Sequence, residues 1–306
     1  MEPNNSTFNS SYTLFNYMEK QILRLKKYDH HRTAETYQST LNSFRFFRQN
    51  QDLKFEELTP LLLEDYEFHL RHKGLAPNTV AFYLKRLRAI YNKAVEDELT
   101  ENRYPFRKAS TTSEKTVKRA ISLKDIRRLK MLELPYPSAK RLARDIFLLS
   151  FYTRGMSFID IALLKKSDIN NGTLTYRRRK TGRIMTLRWE PCMKRIADQY
   201  APTSPSPYLL SFIQKPEGDI RKQCHNALTR IDRNLKKIGR KIGLTLPLTL
   251  YVARHSWASI ARDEGISLSV ISEGMGHESE KTTRIYLTSL ESQVIDKANN
   301  KILKKV

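Results

Sequence analysis

The chain has 306 residues, which is enough for two domains that each bury a core of their own. Its 55 lysines and arginines outnumber its 32 acidic residues and leave a formal charge of +23. An excess of this size would repel itself in a free monomer. It therefore indicates a polyanionic partner, for which nucleic acid is the first candidate. A merely basic protein with no such partner is the alternative.

Residue patterns exclude several classes of protein. No apolar run approaches the roughly 20 residues of a membrane span, and the polar start does not resemble a signal peptide, so we expect a cytoplasmic protein without membrane contact. Cys192 and Cys224 are too few for a disulfide framework, and neither stands in a metal-ligand spacing. A glycine-rich phosphate loop for ATP is also missing from the sequence. We therefore expect neither a metal ion nor another cofactor.

The first 104 residues have a helical pattern. Apolar and aromatic residues recur every three or four positions in four segments, and breaks fall at the KKYDHH stretch, at Gly74 and around Pro105. The pattern predicts a four-helix N-terminal domain, residues 1–104. Its four predicted helices cover residues 12–25, 34–47, 61–70 and 78–95.

The fourth predicted helix carries side chains of the kinds that bind phosphates and base edges. We predict that this helix contacts DNA, while a basic face that only contacts solvent is the alternative. The candidate DNA-binding residues are Thr79, Tyr83, Lys85, Arg86 and Arg88.

Residues 105–119 are small, polar and basic, which predicts an exposed linker. Ser122 is a good N-cap and begins a second, mainly helical domain, residues 120–306. In that domain the stretch 173–189 alternates around a Lys-Thr-Gly turn, which predicts a hairpin and hence a small antiparallel sheet. Helical patterns resume at residues 221–243, 250–264, 268–275 and 279–288.

The C-terminal tail carries an apolar stripe at steps of four residues, which predicts an amphipathic helix. Its positions are Leu290, Val294, Ala298 and Ile302. The sequence leaves open whether this helix packs on its own domain or on a neighbouring copy.

Four residues of the C-terminal half suit the breaking and rejoining of DNA without a metal or ATP. Tyrosine is a competent nucleophile that keeps the phosphodiester energy in a covalent bond, although its pKa near 10 requires activation by nearby cations or a base. Arginine offers a planar fork that matches two phosphate oxygens. In chain order the candidates are Lys180, Arg254, His277 and, nine positions after the histidine, Tyr286.

The order Lys180, Arg254-His255, Gly276-His277 and Tyr286 resembles the catalytic domain of the tyrosine recombinase (phage integrase) family. The N-terminal four helices similarly resemble that family's SAM-like core-binding domain. The resemblance implies that Tyr286 attacks the scissile phosphate and forms a 3′-phosphotyrosyl link. It further implies that Lys180 protonates the leaving 5′ oxygen, that Arg254 binds the phosphate, and that His277 donates a hydrogen bond to the phosphate or handles the tyrosine proton.

Around the second arginine the chain departs from the family pattern at one position. Most members have a histidine three residues before that arginine, where this chain has Tyr251. One helical turn separates Tyr251 from Arg254, so we expect it to face the same side and to hydrogen-bond the phosphate or the nucleophile. We expect His255 to be structural and Trp257 to lie in the core.

The family's first arginine is missing, because Ser157 occupies its position when Asp160 is aligned with the family's acidic residue. Arg154 lies three residues earlier, and residues three apart share a helix face, so we predict that Arg154 replaces it. The alternative is that Arg154 pairs with Asp160 or another acid. The variant FYTRGMSFID resembles a Bacteroidetes-type subgroup of integrases and DNA invertases.

The resemblance implies a partner and an assembly: double-stranded DNA with inverted-repeat core sites, bound by a homotetramer that joins two such sites. The target sequence, and the choice among inversion, integration and excision, are left open. Two other functions also remain open at this stage. One is a type IB topoisomerase, and the other is a non-catalytic DNA-binding protein descended from a recombinase.

Overall fold

The computed structural model describes residues 12–109, 111, 114, 119–280 and 283. The chain divides into two compact units, residues 1–116 and 117–306. Both units are mainly helical, as the sequence predicts. None of the helices in these described ranges is long and apolar enough to cross a membrane.

The four helices predicted for the first unit are confirmed. Thr59 caps one of them by accepting a hydrogen bond from the Leu62 amide, and Pro60 occupies its first position. The four apolar faces meet in one core, in which Phe44 and Tyr66 pack edge to face with ring centroids 4.8 Å apart. The helices are α1 (Leu14–Lys27), α2 (His31–Phe47), α3 (Pro60–His72) and α4 (Pro77–Glu96).

The segment that follows α4 packs against the first unit at two points. Residues Pro105–Arg107 form one 3₁₀ turn, and Phe106 is only 6% exposed because it joins the core of that unit. Asn78 exchanges two hydrogen bonds with the backbone of Glu114, 2.8 and 3.1 Å long. These points differ from the exposed linker expected for residues 105–119, because an aromatic side chain in a polar stretch still seeks burial.

The second unit begins where Ser122 accepts a hydrogen bond from the Asp125 amide, which confirms the predicted N-cap. Its first helices are α5 (Leu123–Met131), α6 (Ala139–Tyr152) and α7 (Phe158–Ala162). After the sheet come α8 (Pro191–Gln199), α9 (Ile220–Lys241), α10 (Leu250–Asp263) and α11 (Leu268–Gly274).

The predicted hairpin is the main part of a three-stranded antiparallel sheet. Its strands are β1 (Ile169–Asn170), β2 (Thr173–Arg177) and β3 (Ile184–Arg188), in that spatial order. Thr173 pairs with Arg188 and Arg177 with Ile184, so the turn between β2 and β3 holds Lys180. The two residues of β1 are too few to show a period-two pattern in the sequence.

Helix α6 lies at the centre of the second unit and contacts α8, α9 and α10. Residues on several of its sides are buried, among them Ile146, Phe147 and Leu149. This packing brings the C-terminal end of α6 against α10 and so places residues 153–155 beside Arg254.

Candidate active site

Arg254 is anchored inside the second unit by backbone carbonyls. Its side chain projects from α10 and is 8% exposed. One terminal nitrogen donates to the carbonyl of Gly155 at 2.9 Å, and the other donates to the carbonyl of Met275 at 2.6 Å. A guanidinium held at a fixed position by uncharged acceptors keeps its charge for an anion.

Gly155 is required by the close approach of α10. Its φ of +77° lies in the left-handed region that favours glycine. A Cβ at this position would lie 2.6 Å from the Cα of Arg254 and 2.7 Å from its Cβ. The glycine therefore lets α10 approach the loop closely enough for Arg254 to bond the Gly155 carbonyl. Sequence reasoning missed this role.

His277 lies between Arg254 and Thr283. Its Nε2 is 2.9 Å from an Arg254 terminal nitrogen, and its Nδ1 is 2.6 Å from the Thr283 hydroxyl oxygen. Burial, followed by the charges of Arg254, Arg178 and Lys180, lowers the pKa of His277 to about 4. The imidazole is therefore neutral near pH 7, and a hydrogen bond that it donates there comes from one nitrogen only.

The β2–β3 hairpin is fastened to the segment that carries His277. Arg178 is 8% exposed and donates to the carbonyl of Gly276 at 2.6 Å, and Arg183 donates to the carbonyl of His277 at 3.1 Å. Lys180 is exposed on the turn, and its charge acts on the His277 ring. The structure thus brings the predicted Lys180 towards His277 and adds Arg178, a buried cation that sequence reasoning missed.

The prediction for Arg154 rested on a helix that the structure does not contain. Helix α6 ends at Tyr152, and Ser157 is the N-cap residue of α7. Arg154 therefore lies between the two helices and does not share a helix face with Ser157. Arg154 instead adopts a left-handed backbone with φ of +61°. Its Cδ lies 3.6 Å from where a Cβ on Gly274 would stand, next to the Met275 carbonyl that Arg254 bonds.

Asp160 is occupied by partners other than Arg154. One of its carboxylate oxygens accepts from the Ser157 hydroxyl at 2.6 Å, and the other accepts from the Arg179 amide at 2.9 Å. Within the described part of the chain Arg154 forms no ion pair with an acid. Asp160 therefore joins the start of α7 to the end of β2 and leaves the Arg154 guanidinium available.

Tyr176 on β2 shows that several cations converge here. Burial and then the Asp160 charge raise the pKa of Tyr176 to about 12, while the charges of Arg178, Arg254 and Arg154 act in the opposite direction. All three guanidinium groups thus lie within electrostatic reach of one ring. Across residues 119–280, no group of histidine, cysteine and acidic residues has an arrangement that would hold a metal ion.

Tyr251 lies at the surface of α10, 51% exposed, whereas Arg254 is buried. Its ring packs edge to face on His255, with centroids 4.5 Å apart. Trp257 is partly buried and packs against a small cluster that includes Ile271 and Met275, as predicted for a core residue. The predicted nucleophile Tyr286 and the apolar tail lie outside the described residues.

The five predicted DNA-binding residues of α4 occupy two sides of that helix. Thr79, Tyr83 and Arg86 follow one another at steps of four and three and share a side, while Lys85 and Arg88 are exposed on another.

Each of these two sides borders a surface cleft of the first unit. Tyr83 lines a cleft of about 620 Å³ together with Gln38, Asn42 and Lys73. Arg88 lines a separate cleft of about 430 Å³. Polar and cationic side chains therefore border the clefts beside both sides of α4.

Comparison with known proteins agrees with this architecture. The model of the phage integrase SAM-like domain matches residues 13–111, and the model of the phage integrase family matches residues 129–293. Tyrosine recombinase XerA of Pyrococcus furiosus is 30% identical over 222 residues, which are 71% of this chain and 72% of that protein. Tyrosine recombinase XerC of Pelotomaculum thermopropionicum is 24% identical over 280 residues, 86% of this chain and 90% of that protein.

Among solved structures, a lambda integrase tetramer bound to a Holliday junction has the same fold. It superimposes with a TM-score of 0.66 at 17% identity and covers 94% of this chain and 81% of that chain. The fold and the site define an enzyme of the tyrosine recombinase class. The chain belongs to the phage integrase family.

Proposed function

We propose that this chain is a site-specific recombinase that cuts and rejoins double-stranded DNA through a 3′-phosphotyrosyl link, and that it acts in the cytoplasm without a metal or ATP. The observation that carries the proposal is the convergence of Arg254, Arg178 and Lys180 on His277, with Arg154 beside Gly274. Cations held on backbone carbonyls, and an Arg154 without an acid partner among the described residues, suit the charge that grows on phosphate oxygens during transfer.

Each reacting group has a role in this scheme. The Tyr286 oxygen attacks phosphorus while the bond from phosphorus to the 5′ oxygen breaks, and Lys180 gives a proton to that leaving oxygen. His277 is neutral and its Nε2 carries a lone pair, which favours its role as acceptor of the tyrosine proton over its role as donor to the phosphate. Arg254 binds the phosphate and holds a fixed positive charge beside its oxygens.

Arg154 supplies the charge that the family's first arginine provides elsewhere. Its aliphatic stem lies beside Gly274, close to the Met275 carbonyl that Arg254 bonds, and Asp160 is bonded to other groups. The serine at position 157 together with this arginine also supports membership of the Bacteroidetes-type integrase and invertase subgroup. Tyr251 sits at the mouth of the site in this scheme and contacts DNA rather than the buried cluster.

The partner is double-stranded DNA with inverted-repeat core sites, contacted by the five residues of α4 and by the second unit. The assembly is a homotetramer on two sites, by analogy with the lambda integrase tetramer on a Holliday junction. Inversion, integration and excision all use this chemistry. Sites on two DNA molecules give integration, and the relative orientation of two sites on one molecule decides between inversion and excision.

A recombination assay distinguishes this function from its two competitors. A supercoiled plasmid carries two copies of a site selected from a random pool by binding to the native protein, and products are resolved on a gel. Exchange between sites that disappears in Tyr286→Phe and Arg254→Ala supports the proposal. Relaxed plasmid without exchange indicates a topoisomerase. Binding that leaves the plasmid unchanged indicates a non-catalytic protein, the function that Ser157 in the arginine position would favour.

A further inference from the structure

The contacts of His277 with Arg254 and Thr283 show which ring nitrogen carries the proton. A guanidinium has only donors, so the Arg254 nitrogen at 2.9 Å must donate to the lone pair of His277 Nε2. The proton of the neutral ring therefore resides on Nδ1. That N–H donates to the Thr283 hydroxyl oxygen at 2.6 Å.

Both partners of this hydrogen bond are buried. His277 is 7% exposed and Thr283 is 0% exposed, so water does not replace the threonine if its hydroxyl is removed. Losing the acceptor of a buried N–H is costly, and the ring would then rotate out of this position. Among the described residues, the charged groups that contact this segment or act on the ring are Arg254 on α10 and Arg178, Lys180 and Arg183 on the hairpin. These four are cations and can only donate hydrogen bonds.

We propose that Thr283 is a positioning residue for the reaction: its hydroxyl accepts the Nδ1–H and holds the His277 ring in the orientation in which the Nε2 lone pair faces Arg254 and the phosphate. When Arg254 turns its N–H from Nε2 to the phosphate, Nε2 accepts a proton, and the resulting imidazolium keeps its Nδ1–H bond to Thr283. With the opposite tautomer Nε2 would present N–H towards the Arg254 guanidinium, two donors would face each other, and the proton acceptor would be lost.

The same residue links the histidine to the nucleophile along the chain. Tyr286 follows Thr283 by three residues, and three residues of chain span at most about 11 Å. A hydrogen bond at Thr283 therefore fixes the start of the segment that delivers Tyr286 at the same time as it orients His277. This catalytic part of the inference rests on the proposed function, whereas the tautomer is a property of the protein without DNA.

Nitrogen NMR of the histidine rings in the full-length protein without DNA tests the tautomer. The chain has seven histidines, and the His277 signals are assigned by their loss in His277→Gln. We expect a protonated Nδ1 and an unprotonated Nε2 in the native protein and in Thr283→Ser, and changed His277 nitrogen signals in Thr283→Val, where the Nδ1–H has lost the Thr283 hydroxyl. Unchanged His277 signals in Thr283→Val would overturn the proposal.

Covalent trapping on a nicked duplex measures the effect on the reaction. We expect Thr283→Val to form the protein–DNA link about 10- to 100-fold more slowly than the native chain, and Thr283→Ser to stay within about threefold. Thr40→Val is the matched control, since Thr40 is also 0% exposed and donates to a backbone carbonyl within the first unit.

Two results of the trapping experiment would contradict either the role of Thr283 or the proposed function. Equal losses in Thr283→Ser and Thr283→Val would show that packing rather than the hydroxyl matters, and would contradict the proposal. A native chain that never forms the link contradicts the proposed function instead. The NMR signals alone then decide whether Thr283 positions the His277 ring.

Discussion

Replacing Gly155 by alanine adds only one methyl group but should strongly disturb the active site. The new Cβ would lie 2.6 Å from the Arg254 Cα, whereas carbon atoms in contact prefer about 3.5 to 4.0 Å, so one backbone must move by about 1 Å. A displacement of that size at catalytic groups costs about 100-fold in rate. Overpacking adds about 1–3 kcal/mol to the loss of stability, beyond about 1–2 kcal/mol for alanine in a left-handed backbone.

A matched control isolates the clash from the backbone cost. Gly265 has φ of +81°, and no atom lies within 4 Å of where its Cβ would stand, so Gly265→Ala carries only the left-handed penalty. Both tryptophans, Trp189 and Trp257, belong to the second unit, so their fluorescence in a urea titration reports the unfolding of that unit alone. We expect Gly155→Ala to unfold at lower urea than Gly265→Ala and to form the covalent link about 100-fold more slowly. Equal midpoints and equal rates in the two variants would refute the reasoning.

Three further predictions concern charge. Arg154→Ala should slow covalent complex formation about 100-fold, because a cation is lost beside the phosphate; a wild-type rate would contradict its substitution for the missing arginine. The pKa of His277 is about 4 in the fold, below its ordinary 6.5, so the unfolded chain binds more protons between these pH values and stability should fall as pH drops through that window. Urea unfolding should show that His277→Gln removes part of this fall. The logarithm of DNA affinity should fall linearly with the logarithm of salt concentration, and Lys85→Ala or Arg88→Ala should each reduce the slope by about 1 if the residue contacts a phosphate.

The sequence predicts helices well here because their periodicity is local. Apolar residues at steps of three and four mark α1 to α4, and Ser122 marks the start of α5 by a capping bond within three residues. The strand β1 has only two residues and escapes such a pattern. Burial of Phe106 also escapes it, because its partners lie on helices of the first unit rather than beside it in the chain.

The site residues were found by resemblance, but their supports depend on distant contacts. Gly155 is needed because α10 approaches it from 99 positions away, which no local pattern records. The helical spacing that predicts Arg154 does not exist, since a loop separates α6 from α7. A strand pattern in the sequence could have identified Arg178. Leu174, Tyr176 and Arg178 occupy every second position along β2 and its continuation, so all three lie on the inward side of the strand.

The measurement that tests the central claim most directly is trapping on a nicked duplex whose cleaved 5′ end diffuses away, followed by mapping of the DNA-linked peptide by mass spectrometry. The native chain, Tyr286→Phe and Tyr176→Phe are compared on the same selected site. We predict a covalent band in the native chain and in Tyr176→Phe, its absence in Tyr286→Phe, and a phosphotyrosyl adduct on the peptide that contains residue 286. A band that persists in Tyr286→Phe, or a bound site that never yields one with the native chain, would contradict the account.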